Sequence, residues 1–308
     1  MRRVHDASVL SDYGDIESLR AARFHTCFSL VLIGLDGGGQ EDLESAGESV
    51  KRLIRSCDVA GIIGRQRLAV ILPETDFFGA LMMVRKLTGA AKGIADERGL
   101  KMDVSHATFP IDGRSYQELL GSAERRAREN KLSLWEKLGL RERLYWEIVD
   151  DLFGSACKGS LNACFDTGQG HELSEFFTDQ VNDLIMKEVR RSPHKRGLVY
   201  FSVSNITSLL PIVKAISLSA PFAARVFVTG ECGESVKEIK NATPICLDDG
   251  RLKETFFTFF LSEDSSYALI CRESWGAGYA CFHTSDPYLV HGLINKFQKE
   301  YSLQETLG

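Results

Sequence analysis

The chain has 308 residues, 44% hydrophobic and 26% charged, with a formal net charge of -5. This composition belongs to globular proteins and excludes collagen-like and disordered classes, and the length suffices for two domains with separate cores. The acidic balance gives no broad attraction to nucleic acid or acidic membranes, so neither is an expected partner.

The N-terminal arginines are followed by no apolar run, and no stretch reaches the roughly 20 apolar residues of a membrane helix, which points to a cytoplasmic protein. Eight cysteines occur without any C-x-x-C pair. In a chain this long they read as buried free thiols, not as a zinc site or a disulfide framework.

In chain order, "FSLVLIGLD" (28–36) is an apolar run stopped by Gly37, Gly38 and Gly39, as a strand buried on both faces would be. "EDLESAGESVKRLIRS" (41–56) has helical spacing. "IIGRQRLAVILPET" (62–75) is a hairpin with a polar turn, residues 76–99 form a long amphipathic helix, "KMDVSHATFP" alternates as a strand, and 115–131 is helical again. Helices and strands interleave around one antiparallel hairpin, so residues 1–131 are an α/β or ferredoxin-like α+β sheet domain.

Residues 132–171 are expected to be a helical connector or dimerising helix followed by a loop-rich joint. A second α/β domain, residues 172–308, opens with a helix to 191. It continues through the strands "LVYFSV", "ARVFVTG", "TPICL", "FFTFFLS", "YALICRES" and "YACFHTS", with a helix after the first. It closes on a helix that Asp286 caps and Pro287 begins.

The blocks "DVAG", "AVILPETD" and "SHATFPIDGRSYQELLGSAERRARENK", with the hairpin between them, resemble the diguanylate cyclase family in order and spacing. The resemblance spans about residues 10–131 and implies that family's sheet domain, whose hairpin carries Gly-Gly-Asp-Glu-Phe. Here those positions read Gly64, Arg65, Gln66, Arg67 and Leu68, and Gly34 stands where the family places a metal-binding aspartate, leaving Asp36 at a second acidic position. Magnesium ions on a triphosphate need anionic oxygen ligands, which a guanidinium cannot supply. The resemblance therefore implies a degenerate, non-catalytic domain without cofactor or metal.

The Gly37–Gly39 run reads as a turn and not a phosphate loop, because Asp36, Glu41 and Asp42 surround it. The family's inhibitory R-x-x-D site, by contrast, is matched by Arg55 and Asp58, with Arg85 and Lys86 at a further basic position. It implies cyclic di-GMP as a ligand: a guanidinium forks onto a guanine edge or phosphate, and a carboxylate accepts from guanine N–H groups. The alternative is a surface ion pair with no ligand.

Residues 172–303 resemble the DICT sensory domain through "LVYFSVSNITSLLPIVKAISLSAPFAARVFVTG", "FFTFFLSEDSSYALICRES" and "YACFHTSDPYLVHGLINKFQ". That resemblance implies an unidentified small ligand and a protein signalling partner. The expected pocket is Arg272, Glu273 and Trp275 with His283 and Asp286 at the strand-to-helix junction. No G-x-S-x-G elbow accompanies Ser285, His283 and Asp286, so a hydrolase is not expected. The combined expectation is a bacterial signalling protein, with a homodimer among its possible assemblies and an inert interaction scaffold as the alternative.

Overall fold

A computed structural model describes residues 4–98, 100–156, 175–233, 238–274 and 278–303, and divides the chain into two compact units, Met1–Leu132 and Ser133–Glu305.

The first unit begins with α1 (Ala7–Phe24), capped by the Asp6 carboxylate, which accepts from Val9 N at 3.0 Å, and ended by His25 at φ 52°. There follow β1 (Phe28–Asp36), α2 (Gln40–Leu53), β2 (Val59–Gly64), β3 (Arg67–Pro73), α3 (Phe77–Arg98), β4 (Lys101–Phe109) and α4 (Tyr116–Leu132). The sheet order is β2-β3-β1-β4 with every pair antiparallel, the ferredoxin-like arrangement. The uninterrupted apolar run of β1 is explained by its central place. Leu30 and Leu32 face a core that includes Leu10 of α1 and Leu119 of α4, whereas Val31, Ile33 and Leu35 face one with Leu43 of α2 and Leu87 of α3.

The sequence gives no clear signal for α1, because its apolar residues are shared between two faces. Gly14 lies so close to Tyr116 of α4 that a β-carbon there would run into the ring. Helix α2 stops at Leu53, short of the expected 56, because Ile54 is extended and residues 55–58 form a turn.

The second unit contains α5 (Leu134–Lys137), a 3-10 turn (Leu140–Glu142), α6 (Tyr145–Ala156), α7 (Glu175–Arg191), β5 (Gly197–Ile206), α8 (Pro211–Ser217), β6 (Arg225–Cys232) and β7 (Thr243–Cys246). It ends with α9 (Arg251–Glu254), β8 (Thr255–Ser262), β9 (Ser266–Ser274), β10 (Gly278–Thr284) and α10 (Pro287–Glu300). The sheet order is β10-β9-β8-β5-β6-β7; the β5–β6 and β6–β7 pairs are parallel and the others antiparallel. One face is aliphatic, where Ile185 and Met186 of α7 and Ile212 of α8 meet Val199 and Phe201. The other is aromatic: the Tyr145 ring lies 5.3 Å from Phe297 and 6.2 Å from Phe257, and Tyr200 stacks on Phe227 at 4.7 Å.

This aromatic face corrects the expected connector. Residues 133–156 bring Tyr145, Trp146 and Leu152 into the second unit's core, while 157–171 lie outside the described residues. The segment is not one helix either, because Gly139 adopts φ 62° and breaks it. The free-thiol expectation is corrected too. Cys232 is bonded to Cys246 and Cys271 to Cys281. Cys271 and Cys281 face each other in the β9–β10 register, a proximity that strand pairing creates and sequence spacing does not reveal. Among the described residues no helix is long and apolar enough to cross a membrane.

Candidate functional site

The hairpin positions Gly64 to Leu68 lie at one end of the first sheet. Arg67 of β3, Gly34 of β1 and Asp103 of β4 lie side by side in register, with Asp36 two residues beyond Gly34 on the same face. The missing side chain at Gly34 leaves space that the Asp103 carboxylate takes: a β-carbon at 34 would collide with Asp103 Oδ1. Lys131, at the end of α4, then donates to Asp36 Oδ2 at 2.8 Å and lies 3.1 Å from Asp103 Oδ2. Its hydrogen bond to Asp36, aided by Asp103, holds the ammonium above its usual pKa.

The remaining signature residues are tied up as well. Arg67 donates to the carboxylate of Glu124 on α4. Gln66 donates from Nε2 to Gly38 O at 3.2 Å, and its backbone carbonyl accepts from Leu35 N at 3.0 Å, fastening the hairpin tip to the glycine loop. Arg65 is exposed, and Leu68 is 1% exposed in the core against α2. Gly64 has neither a positive φ nor, among the described residues, a neighbour that a β-carbon would strike, so neither backbone nor space demands glycine there. Gly37, at φ 86°, does need it. Asp42 accepts from Gly39 N at 2.8 Å, so a carboxylate already serves the α2 N-terminus where a phosphate would bind.

These residues do not fit a pair of magnesium ions. Gly34, Gln66 and Arg67 contribute no anionic ligand, and Asp36 and Asp103 already share the Lys131 ammonium. Among the described residues no group of three or more His, Cys, Asp or Glu is placed to hold a metal.

Arg55 and Asp58 frame the turn between α2 and β2. Asp58 is 7% exposed, and its carboxylate accepts from Arg55 N at 2.6 Å and from the Cys57 thiol at 3.7 Å. The carboxylate thus bonds to the Arg55 backbone, which departs from the side-chain ion pair weighed as the alternative. The Asp58 carboxylate holds the turn, and the Arg55 side chain is exposed. Arg85, half-buried, and Lys86, exposed, lie on α3, which packs beside α2.

The expected pocket of the second unit is not brought together. Arg272 projects to the α6 side, donating to Asp150 Oδ1 at 2.8 Å and lying 4.9 Å from the Phe153 ring centre. His283 follows Cys281 on the opposite, aliphatic face, its ring 6.1 Å from that of Tyr267, and burial lowers its pKa. Alternation of side chains along a strand separates the two. Asp286 caps α10, accepting from Tyr288 N at 2.9 Å, and its second oxygen accepts from Leu134 N at 3.1 Å. Glu273 is exposed, and Trp275 lies outside the described residues.

The sequence reading missed a polar network in this unit. Trp146 Nε1 donates to Tyr301 Oη at 2.9 Å, and Tyr301 donates to Asp249 Oδ2 at 2.8 Å. Arg251 holds the same carboxylate at 2.6 Å and lies over the Trp146 ring at 4.8 Å. Arg251, with Tyr301, depresses the Asp249 pKa to about 2.

No protein-family model matches the chain, and no curated protein does. Solved structures match in part. A DGC protein from Thermotoga maritima is 14% identical, covering 40% of this chain and 95% of that one with a TM-score of 0.36. The active GGEEF domain of a diguanylate cyclase from Vibrio cholerae is 13% identical, covering 42% and 92%, with a TM-score of 0.38. The GGDEF domain of DgcB from Caulobacter crescentus, in complex with c-di-GMP, is 14% identical, covering 42% and 85%, with a TM-score of 0.36. Each likeness covers less than half of this chain and assigns it no activity.

Proposed function

We propose that this chain is a signalling protein without cyclase activity, whose first unit presents Arg55 as a contact for cyclic di-GMP and whose second unit is a DICT-like domain receiving a separate signal. The observation that carries the reading is Lys131 between Asp36 and Asp103: the strand-end carboxylates have their own cation, where catalysis would need them for metal. Asp58 is a positioning residue that orders the turn, and Arg55 forks onto the ligand's phosphate or guanine. Incubation with GTP and magnesium should yield no cyclic di-GMP, and sustained turnover would overturn the reading.

The burial of Asp58 favours a second reading, in which the first unit binds no nucleotide and serves as an interaction scaffold. The two part at Arg55→Ala, which removes binding in the first reading and changes no titration in the second.

A further inference from the structure

Helix α1 has two faces. Leu10, Gly14, Glu17, Ser18 and Ala21 are buried within the first unit. On the opposite side Val9, Ile16 and Leu19 are 42%, 62% and 74% exposed, and Asp12 and Arg23 are exposed beside them. Taken in order, Val9, Asp12, Ile16, Leu19 and Arg23 are spaced 3, 4, 3 and 4 residues apart, the seam of a two-stranded coiled coil. A lone helix in water gains nothing from such a stripe; a second helix laid along it buries the apolar residues.

The charges on the stripe say what that second helix is. Asp12 is near one end and Arg23 near the other, with Ile16 and Leu19 between them. About a two-fold axis midway between Glu17 and Ser18, Asp12 comes level with Arg23 of the partner subunit and Ile16 with Leu19 of the partner subunit. A parallel, in-register pair would instead set Asp12 against Asp12 and Arg23 against Arg23. The stripe is complementary to its own reverse, which is the property of an isologous contact. We infer that α1 is a self-association surface on which a second copy of this chain docks antiparallel, with Asp12–Arg23 ion pairs closing both ends of an Ile16–Leu19 centre.

An 18-residue helix is about 27 Å long, so the contact belongs with interfaces below about 1,200 Å² and gives a weak, micromolar-range dimer. Sedimentation equilibrium of the full chain from about 1 to about 200 µM tests it. The expected result is a monomer–dimer equilibrium in that range, weakened roughly tenfold or more by Asp12→Arg or Arg23→Asp, each of which sets like charges opposite one another. The double exchange, Asp12→Arg with Arg23→Asp, should restore the parent affinity, which a misfolded protein would not do. Leu19→Asp should leave monomer only. Monomer throughout the range, a dimer indifferent to Leu19→Asp, single charge variants that associate as the parent does, or a double variant as weak as the singles would each overturn the inference.

Discussion

Asp58 bonds to the backbone N–H of Arg55, so under the proposed function it would act on the ligand through the turn. Asp58→Ala removes a charge-assisted hydrogen bond and should lower stability by about 1.5–3 kcal/mol, seen as a lower urea midpoint with unchanged slope. Asp58→Asn keeps an acceptor and should lose less. The sequence placed Arg55 and Asp58 together by spacing alone. It gave no hint of Asp103, Glu124 or Lys131, whose meeting with Asp36 and Arg67 depends on strand register and on the reach of α4.

A second residue-scale consequence comes from His106, 7% exposed on β4 with its ring 5.1 Å from Phe77 and no hydrogen-bond partner for Nδ1 among the described residues. Burial, with Arg126 nearby, lowers its pKa from 6.5 to about 3. The unfolded chain therefore takes up the proton first. The contribution is full above pH 6.5 and is lost as pH falls toward 3. Urea titrations between pH 6.5 and 4 should show stability falling by up to about 1.4 kcal/mol per pH unit, and His106→Leu should remove that part of the slope.

At the scale of elements, α5 and α10 are held together by the absence of a side chain. A β-carbon at Gly292 would run into the Trp135 ring, so Gly292→Ala should cost about 1–3 kcal/mol despite its higher helix propensity. The strands of both sheets were legible because β1 and β5–β10 carry uninterrupted or alternating apolar runs. The breaks in the 134–156 segment were not, since Gly139 at φ 62° turns a continuous helical pattern into separate pieces. The cysteines show the same limit at the level of pairing. The two disulfides should appear as four cysteines of the second unit that resist alkylation in the denatured, unreduced chain and react after reduction.

For the whole molecule, the division at Leu132 and Ser133 makes a specific claim about what folds alone. A fragment starting at Ser133 should unfold cooperatively, whereas one starting at residue 172 should not. The shorter fragment loses Tyr145, Trp146, Ile148, Val149 and Leu152, all 6% exposed or less. At about 1.5–3 kcal/mol for each buried side chain, the loss approaches or exceeds the roughly 5–15 kcal/mol stability of a domain. Chemical denaturation followed by tryptophan fluorescence and circular dichroism separates the two outcomes.

The most direct test of the signalling account is calorimetric titration of the full chain with cyclic di-GMP, alongside Arg55→Ala. The account predicts saturable binding by the parent chain and none by the variant, with both proteins equally stable to urea. Parent and variant that both fail to bind, or that bind alike, would contradict it.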